Sequence, residues 1–241
     1  LTFFFLLLIL PFKAFPKKWF SIVGLVFGSM MPDFEYFIKM QINIGVGHSI
    51  RGIILFNVPA GIILTYVFFY IVSKDFINSL PLYFKSRLWF IKKIDWHTYF
   101  KNNWYIVISS IIIGVLSHLF WDAFTHFDGF VVLRYPVLSN KICFYSYMQP
   151  VYNILQYVST FVGGIIILFY ISTLKPEPDI KPSNVIGYWI KVTAITILIL
   201  LLRIGIGGFG HSVYFTSIIC SIAAVLYAII LTPLLFRQPE N

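Results

Sequence analysis

Three ionisable side chains recur at intervals of four residues within one apolar stretch: His118, Asp122 and His126. At 3.6 residues per turn, this spacing keeps all three on one face of a helix. Imidazole and carboxylate groups on one helical face can bind the same divalent ion, as the paired histidines of helical zinc motifs do. A carboxylate near a helix end in lipid costs about 2–3 kcal/mol unless it is paired or hydrated. The pattern therefore predicts a metal ion or a water-filled cavity beside Asp122, with a helix-stabilising His118–Asp122 pair as the structural alternative.

The composition indicates that these residues lie in a membrane protein. Of the 241 residues, 59% are hydrophobic and only 11% are charged, whereas a soluble domain carries about 25% charged residues. Five apolar stretches reach the length of about 20 residues that a spanning helix needs, and two shorter ones, 1–12 and 19–31, precede them. The sequence thus predicts an all-α polytopic transmembrane helical bundle of about five full spans plus an N-terminal short helical hairpin. The five spans are predicted at 50–73, 103–125, 148–173, 185–206 and 212–236.

The distribution of Lys and Arg predicts the orientation of the spans. Cytoplasmic loops carry an excess of these residues, so the richer side, which includes loop 74–102 and the C-terminus, is expected in the cytoplasm. The net charge of +9 follows from the same effect, and no nucleic acid is expected as a partner. The richer side holds Lys74, Lys85, Arg87, Lys92, Lys93, Lys101, Lys175, Lys181 and Arg237; the other holds Lys39, Arg134 and Lys141, with Arg51 just inside a span.

The other unusual residues fall at the extracytoplasmic end under this orientation. Asp33 and Glu35 follow the second short apolar stretch, and His48 immediately precedes the span that begins at residue 50. Only Lys and Arg were used to orient the spans, so the shared depth of these residues and the histidine–aspartate face of span 103–125 is independent information. Ionisable residues within membrane segments usually mark functional sites.

Structural alternatives exist for several of these residues. Asp33 would also suit a helix N-cap, and His48 would suit an interfacial position before a helix capped by Ser49. Glu35 would suit a solvated or supporting position, and His126 an ordinary place at the membrane surface. The sequence leaves these alternatives open.

Four short motifs carry a family resemblance: Met31-Pro32-Asp33-Phe34-Glu35-Tyr36, Gly47-His48-Ser49, Ser117-His118-Leu119-Phe120-Trp121-Asp122 and Leu155-Gln156-Tyr157-Val158-Ser159. Over about residues 2–173 the chain resembles an uncharacterised family of bacterial integral membrane proteins. That family is similar to the membrane-bound metal-dependent hydrolases, which carry Pro-Asp, Thr-His-Ser and Ser-His-x-x-x-Asp elements in the same order. Those hydrolases are often compared with zinc-dependent phospholipases C and P1-type nucleases.

The resemblance implies that Asp33, His48, His118 and Asp122 are metal ligands. Two imidazoles and two carboxylates suit zinc, with manganese or iron as further choices for the divalent ion. The relatives usually open with Thr-Phe-Ser-His-Pro, whereas this chain reads Thr-Phe-Phe-Phe-Leu at residues 2–6. Phe5 therefore stands where the resemblance implies a further histidine ligand. This departure implies a site with one ligand fewer, a degenerate non-catalytic member, or a sequence recorded with error at its start.

The resulting hypothesis is a membrane-embedded metal-dependent hydrolase-like protein with an extracytoplasmic site, in the bacterial cytoplasmic (inner) membrane. Glu35 or His126 would act as general acid or base, and a lipid-borne phosphoester would be the substrate because the site opens at headgroup depth. The alternative is a degenerate non-catalytic membrane subunit of a larger complex.

The domain organisation follows from the same hypothesis. Residues 1–173 would form the hydrolase-like membrane domain, 174–184 a cytoplasmic linker, and 185–241 a C-terminal pair of transmembrane helices. Membrane lipid is the expected partner, together with either a protein partner or a second copy of the chain.

Overall fold

The computed structural model describes residues 19–41, 45–144, 147–207 and 213–236. The predicted all-α polytopic membrane fold is confirmed, since five helices in these ranges are long and apolar enough to cross a membrane. They are α2, α4, α6, α7 and α8. The helices are α1 (Ile22–Lys39), α2 (Ile50–Asn78), α3 (Leu82–Leu88), α4 (Trp96–Thr125), α5 (Phe130–Arg134), α6 (Val151–Thr173), α7 (Val185–Gly207) and α8 (Val213–Phe236).

A short antiparallel hairpin interrupts the helices between α5 and α6. Its strands are β1 (Lys141–Phe144) and β2 (Tyr147–Pro150), paired so that Cys143 lies opposite Met148. Phe5 and the rest of the first short apolar stretch lie outside the described residues, so the predicted N-terminal hairpin stays a prediction.

The chain divides into two compact units, each drawn from separate segments. Among the described residues, the first comprises 19–33, 47–62, 103–144 and 147–170, and the second comprises 34–41, 45–46, 63–102, 171–207 and 213–236. The predicted division into 1–173, 174–184 and 185–241 stays a prediction. The junction at Asn103 coincides with a kink inside α4, where that residue has a φ of −134° and a ψ of 25°. Residue 103 is also where the sequence predicts the start of this span.

Within the first unit, glycine and serine residues bring α1 and α4 into backbone contact. A Cβ atom added at Gly28 would overlap the Ile111 carbonyl oxygen, and one added at Gly114 would lie 2.7 Å from the Ser29 nitrogen. One turn away, the Ser21 backbone N–H donates to Ser110 Oγ over 2.8 Å. Helices in lipid associate through such close packing, because the tails around them are as apolar as the side chains.

Helix α1 continues further than the sequence suggests. The second short apolar stretch was expected to end at residue 31, but α1 runs through Pro32 to Lys39. Pro32 removes only the hydrogen bond to the Gly28 carbonyl, and the residues on both sides of it are buried, including Met31 and Phe37. Asp33 consequently lies inside the helix, and the alternative that it caps a helix is wrong.

Helix α2 is irregular in the part that belongs to the first unit. Ser49 caps it by accepting a hydrogen bond from the Gly52 backbone N–H over 3.0 Å, as one structural alternative supposed. Directly after this first turn, Ile53–Asn57 forms a π-helical segment. Such segments are rare and often lie at functional sites.

Within the second unit, the basic connection after α2 is tied to the segment that precedes α7. Lys85 is 5% exposed, and its ammonium group donates to the Lys181 carbonyl and to Ser183 Oγ over 3.0 Å each. Lys93 forms an ion pair with Glu177. Burial lowers the pKa of the Lys85 ammonium group. The two loops that the Lys and Arg count assigns to one side of the membrane therefore contact each other.

The close α1–α4 contact predicts that Gly28→Ala will destabilise the protein by about 1–3 kcal/mol, because backbone atoms of Ile111 cannot move aside as a side chain would. Gly205→Ala in α7 is the matched control, since a Cβ there meets nothing within 4 Å. The measurement is the thermal unfolding midpoint of the detergent-solubilised protein. Equal midpoints for the two variants would contradict the contact.

Candidate metal centre

Three separate segments of the first unit bring ionisable side chains to one place. Asp33 comes from α1, His48 from the turn before α2, and His118 and Asp122 from the last two turns of α4. The ligand atoms of Asp33, His48 and His118 all lie within 4.8 Å of one another. These residues with Asp122 are called the His–Asp cluster below. Its members are the four residues that the family resemblance implies as ligands.

The nitrogen–oxygen distances in the His–Asp cluster are short and similar. His118 Nε2 lies 3.1 Å from Asp122 Oδ2 and 3.7 Å from Asp33 Oδ1. His48 Nε2 lies 3.4 Å from the same Asp122 oxygen and 3.7 Å from the same Asp33 oxygen. Each imidazole nitrogen thus faces both carboxylates.

These distances fit a shared divalent ion. Zinc binds nitrogen and oxygen ligands at about 2.0–2.2 Å, which places tetrahedral ligand atoms about 3.3–3.6 Å apart. The four histidine–aspartate distances run from 3.1 to 3.7 Å, and the ligand atoms of Asp33, His48 and His118 lie within 4.8 Å of one another. Two carboxylates also supply two negative charges, which match a dication. In chemistry and spacing, the donor set therefore fits the ion that the sequence suggested.

The orientation of His118 is set by the backbone of α1. Its Nδ1 lies 2.7 Å from the Ser29 carbonyl oxygen, and a carbonyl only accepts, so Nδ1 carries the proton and donates. Nε2 is thereby directed to the carboxylates. Metal-binding histidines commonly donate their second ring N–H to a carbonyl in this way. With its side chain only 1% exposed, His118 is the most deeply buried residue of the cluster.

Asp122 connects the cluster to His126. Its Oδ2 faces the two inner imidazoles, and its Oδ1 lies 3.4 Å from His126 Nδ1. The His126 side chain is 43% exposed, whereas that of Asp122 is 15% exposed. The three residues of the i, i+4, i+8 pattern therefore form a continuous series of contacts from the buried His118 to the half-exposed His126.

Glu35, one of the two residues predicted as general acid or base, forms an ion pair within α1. Its Oε1 lies 2.6 Å from Lys39 Nζ one turn later in α1, and its side chain is only 6% exposed. A Cβ at Gly45 would overlap the Glu35 carboxylate, so this side chain packs against loop backbone. Residues two apart on a helix point to nearly opposite sides, so Glu35 does not share the face of Asp33. The geometry favours His126 for proton transfer.

Two groups beside the cluster were missed in the sequence. One is the Ser29 carbonyl, which no side-chain pattern can reveal. The other is Asn57, which is fully buried and donates from Nδ2 to the Gly47 carbonyl, the peptide group before His48, over 2.8 Å. An amide in the middle of an apolar span is a visible signal, because polar side chains in lipid hydrogen-bond to neighbouring segments.

One family match covers most of the chain, including every residue of the His–Asp cluster. No curated protein and no solved structure matches the sequence. Residues 1–234 match the family described as a domain of unknown function, DUF4184. The chain therefore belongs to the DUF4184 family.

Proposed function

We propose that this protein is a membrane-embedded metal-dependent hydrolase that acts on a lipid-borne phosphoester. The observation that carries the proposal is the convergence of Asp33, His48 and His118 from three segments, with Asp122 in contact with both histidines. A helix-stabilising pair would need only His118 and Asp122, which lie on adjacent turns of one helix. The addition of two residues from elsewhere in the chain favours a binding site.

A bound divalent ion, with zinc favoured over manganese or iron, would activate water and polarise a phosphoryl oxygen. Asp33, His48, His118 and Asp122 would hold it. His126 would accept the proton of the attacking water and return it to the leaving oxygen as the ester bond to phosphorus breaks. Its contact with Asp122 Oδ1 keeps the imidazole oriented, and its exposure lets it exchange protons with solvent.

The lipid-borne substrate is supported by the surface next to the cluster. The segment between α4 and α6 begins directly after His126 and leads into the next span, so we expect it to lie along the membrane surface. It exposes large apolar side chains, including Phe127 at 71% and Phe130 at 77%. Aromatic side chains are enriched where headgroups meet acyl chains. A substrate held in that layer would reach the cluster without leaving the bilayer.

The proposal includes an orientation: the His–Asp cluster faces the extracytoplasmic side of a bacterial cytoplasmic membrane, and the C-terminus is cytoplasmic. The nine basic residues on the opposite side support it. So does the contact of Lys85 and Lys93 with the segment that precedes α7, because two loops that contact each other are expected on the same side.

The orientation predicts that a membrane-impermeant maleimide will label the native protein in intact cells at Cys143, which is exposed in β1. Cys220 is buried and should stay unlabelled. In a Cys143→Ser background, a cysteine introduced by Asn102→Cys should react only after the membrane is permeabilised. Labelling through Asn102→Cys in intact cells would reverse the orientation.

Loss of one carboxylate should remove the activity without unfolding the protein. Asp122→Asn keeps the side-chain shape and removes the charge that would hold the ion, so we expect hydrolysis to fall more than about 100-fold. Asp128→Asn is the matched control, because Asp128 is exposed and follows the cluster in the chain. The assay follows phosphate or alcohol release from vesicles that contain phosphatidic acid, phosphatidylglycerol or an isoprenoid phosphate, with circular dichroism of each variant.

A structural role for Asp122 gives the opposite result. A buried charge held only by pairing can be replaced by a neutral group with little loss or even a gain in stability. Equal metal content and equal function in Asp122→Asn and the wild type would therefore favour the non-catalytic membrane subunit over the hydrolase.

A further inference from the structure

Asn57 lies where an apolar residue would be expected. It is 0% exposed in the span Ile50–Asn78, and its Nδ2 donates to the Gly47 carbonyl over 2.8 Å. Within the part of the chain that the structure describes, its Oδ1 has no hydrogen-bond partner. A polar side chain buried in an apolar span costs free energy unless it is hydrogen-bonded, so its contact to the Gly47 carbonyl calls for an explanation.

The half that is paired acts on the segment carrying His48. The chain from Gly47 to Ser49 is a turn before the first residue of α2. Ser49 fixes one side of this turn by capping α2, and Asn57 fixes the other side through the Gly47 carbonyl. His48 lies between these two points. Its backbone is thus held by hydrogen bonds on either side of it.

Asn57 is the last residue of the π-helical segment Ile53–Asn57. Segments of this kind often lie at functional sites. The irregular helical segment, the buried amide and its contact to Gly47 all lie within ten residues of His48.

We infer that Asn57 is a positioning residue that fixes where His48 Nε2 meets the His–Asp cluster. The inference rests on the proposed metal site and assigns part of its geometry to a residue that hydrogen-bonds to the backbone next to a ligand. A 3.4 Å approach of His48 to Asp122 and a 3.7 Å approach to Asp33 require the turn to stay in place. Asn57 supplies this constraint from inside the span.

The test compares zinc affinity with fold stability in full-length protein in detergent. Asn57→Leu keeps the approximate size and removes both amide groups. Asn57→Asp keeps the shape and replaces the donor. We expect both to weaken zinc binding by about 10–100-fold, as loss of a supporting hydrogen bond does, in competition with a chromophoric chelator. The unfolding midpoint of the metal-free Asn57→Leu protein should stay within a few degrees of the wild type. The control is Asn153→Leu in α6, which loses an amide contact to Gln149 of β2 and should leave zinc affinity unchanged.

A second measurement is independent of metal. Hydrogen exchange of the backbone amides in 46–52 should be faster in metal-free Asn57→Leu than in the metal-free wild type, with no change in α6. Unchanged exchange there, or a zinc affinity equal to that of the wild type, overturns the role of Asn57. A midpoint that falls as strongly as the affinity would assign Asn57 to the fold instead. A wild type that binds no zinc, manganese or iron defeats the proposed function, and the exchange rates then decide the positioning role alone.

Discussion

The hydrogen bond from His118 Nδ1 to the Ser29 carbonyl joins a side chain of α4 to the backbone of α1 over 2.7 Å. It can form only because Gly24, Gly28 and Gly114 let the two helices touch at backbone distance. The same contact places Asp33, one turn beyond Ser29, opposite the last turns of α4. The same close contact between α1 and α4 therefore determines both how the two helices pack and which side chains meet in the His–Asp cluster. A methyl group at Gly28 would act on both.

The charges of the cluster set a second requirement. Asp33 and Asp122 both face the Nε2 atoms of His48 and His118, and the fixed Nδ1 proton of His118 leaves its other nitrogen directed at carboxylate oxygens. Oxygens and a lone pair at 3.1–3.7 Å repel each other unless a proton or a cation lies among them. A divalent ion satisfies all four groups at once, and this is why we favour it over simple ion pairing.

Much of this could be predicted from the sequence, for identifiable reasons. Apolar length alone defines the five spans. The i, i+4, i+8 spacing of His118, Asp122 and His126 survives because α4 carries the first two and His126 directly follows its last residue. The extension of α1 through Pro32 could not be predicted, since local rules end a helix there and only burial on both sides of the proline outweighs them. The Ser29 carbonyl was equally hidden, because every residue has one.

Two features of the structure had signals in the sequence that could have been used. Glu35 and Lys39 are separated by four residues in the order that favours a helical ion pair, so their pairing could have been predicted. Asn57 is an amide within an apolar run, which in lipid requires a partner. Its partner is the backbone carbonyl before His48, and no side-chain pattern identifies a carbonyl.

The central claim is that the His–Asp cluster binds one divalent ion through ligands from three segments. The most direct test is elemental analysis of the purified full-length protein by mass spectrometry, combined with X-ray absorption at the edge of the metal found. The account predicts about one equivalent of zinc, manganese or iron, with nitrogen and oxygen neighbours at about 2.0–2.2 Å. Metal-free protein that binds none of these ions when they are added would contradict it.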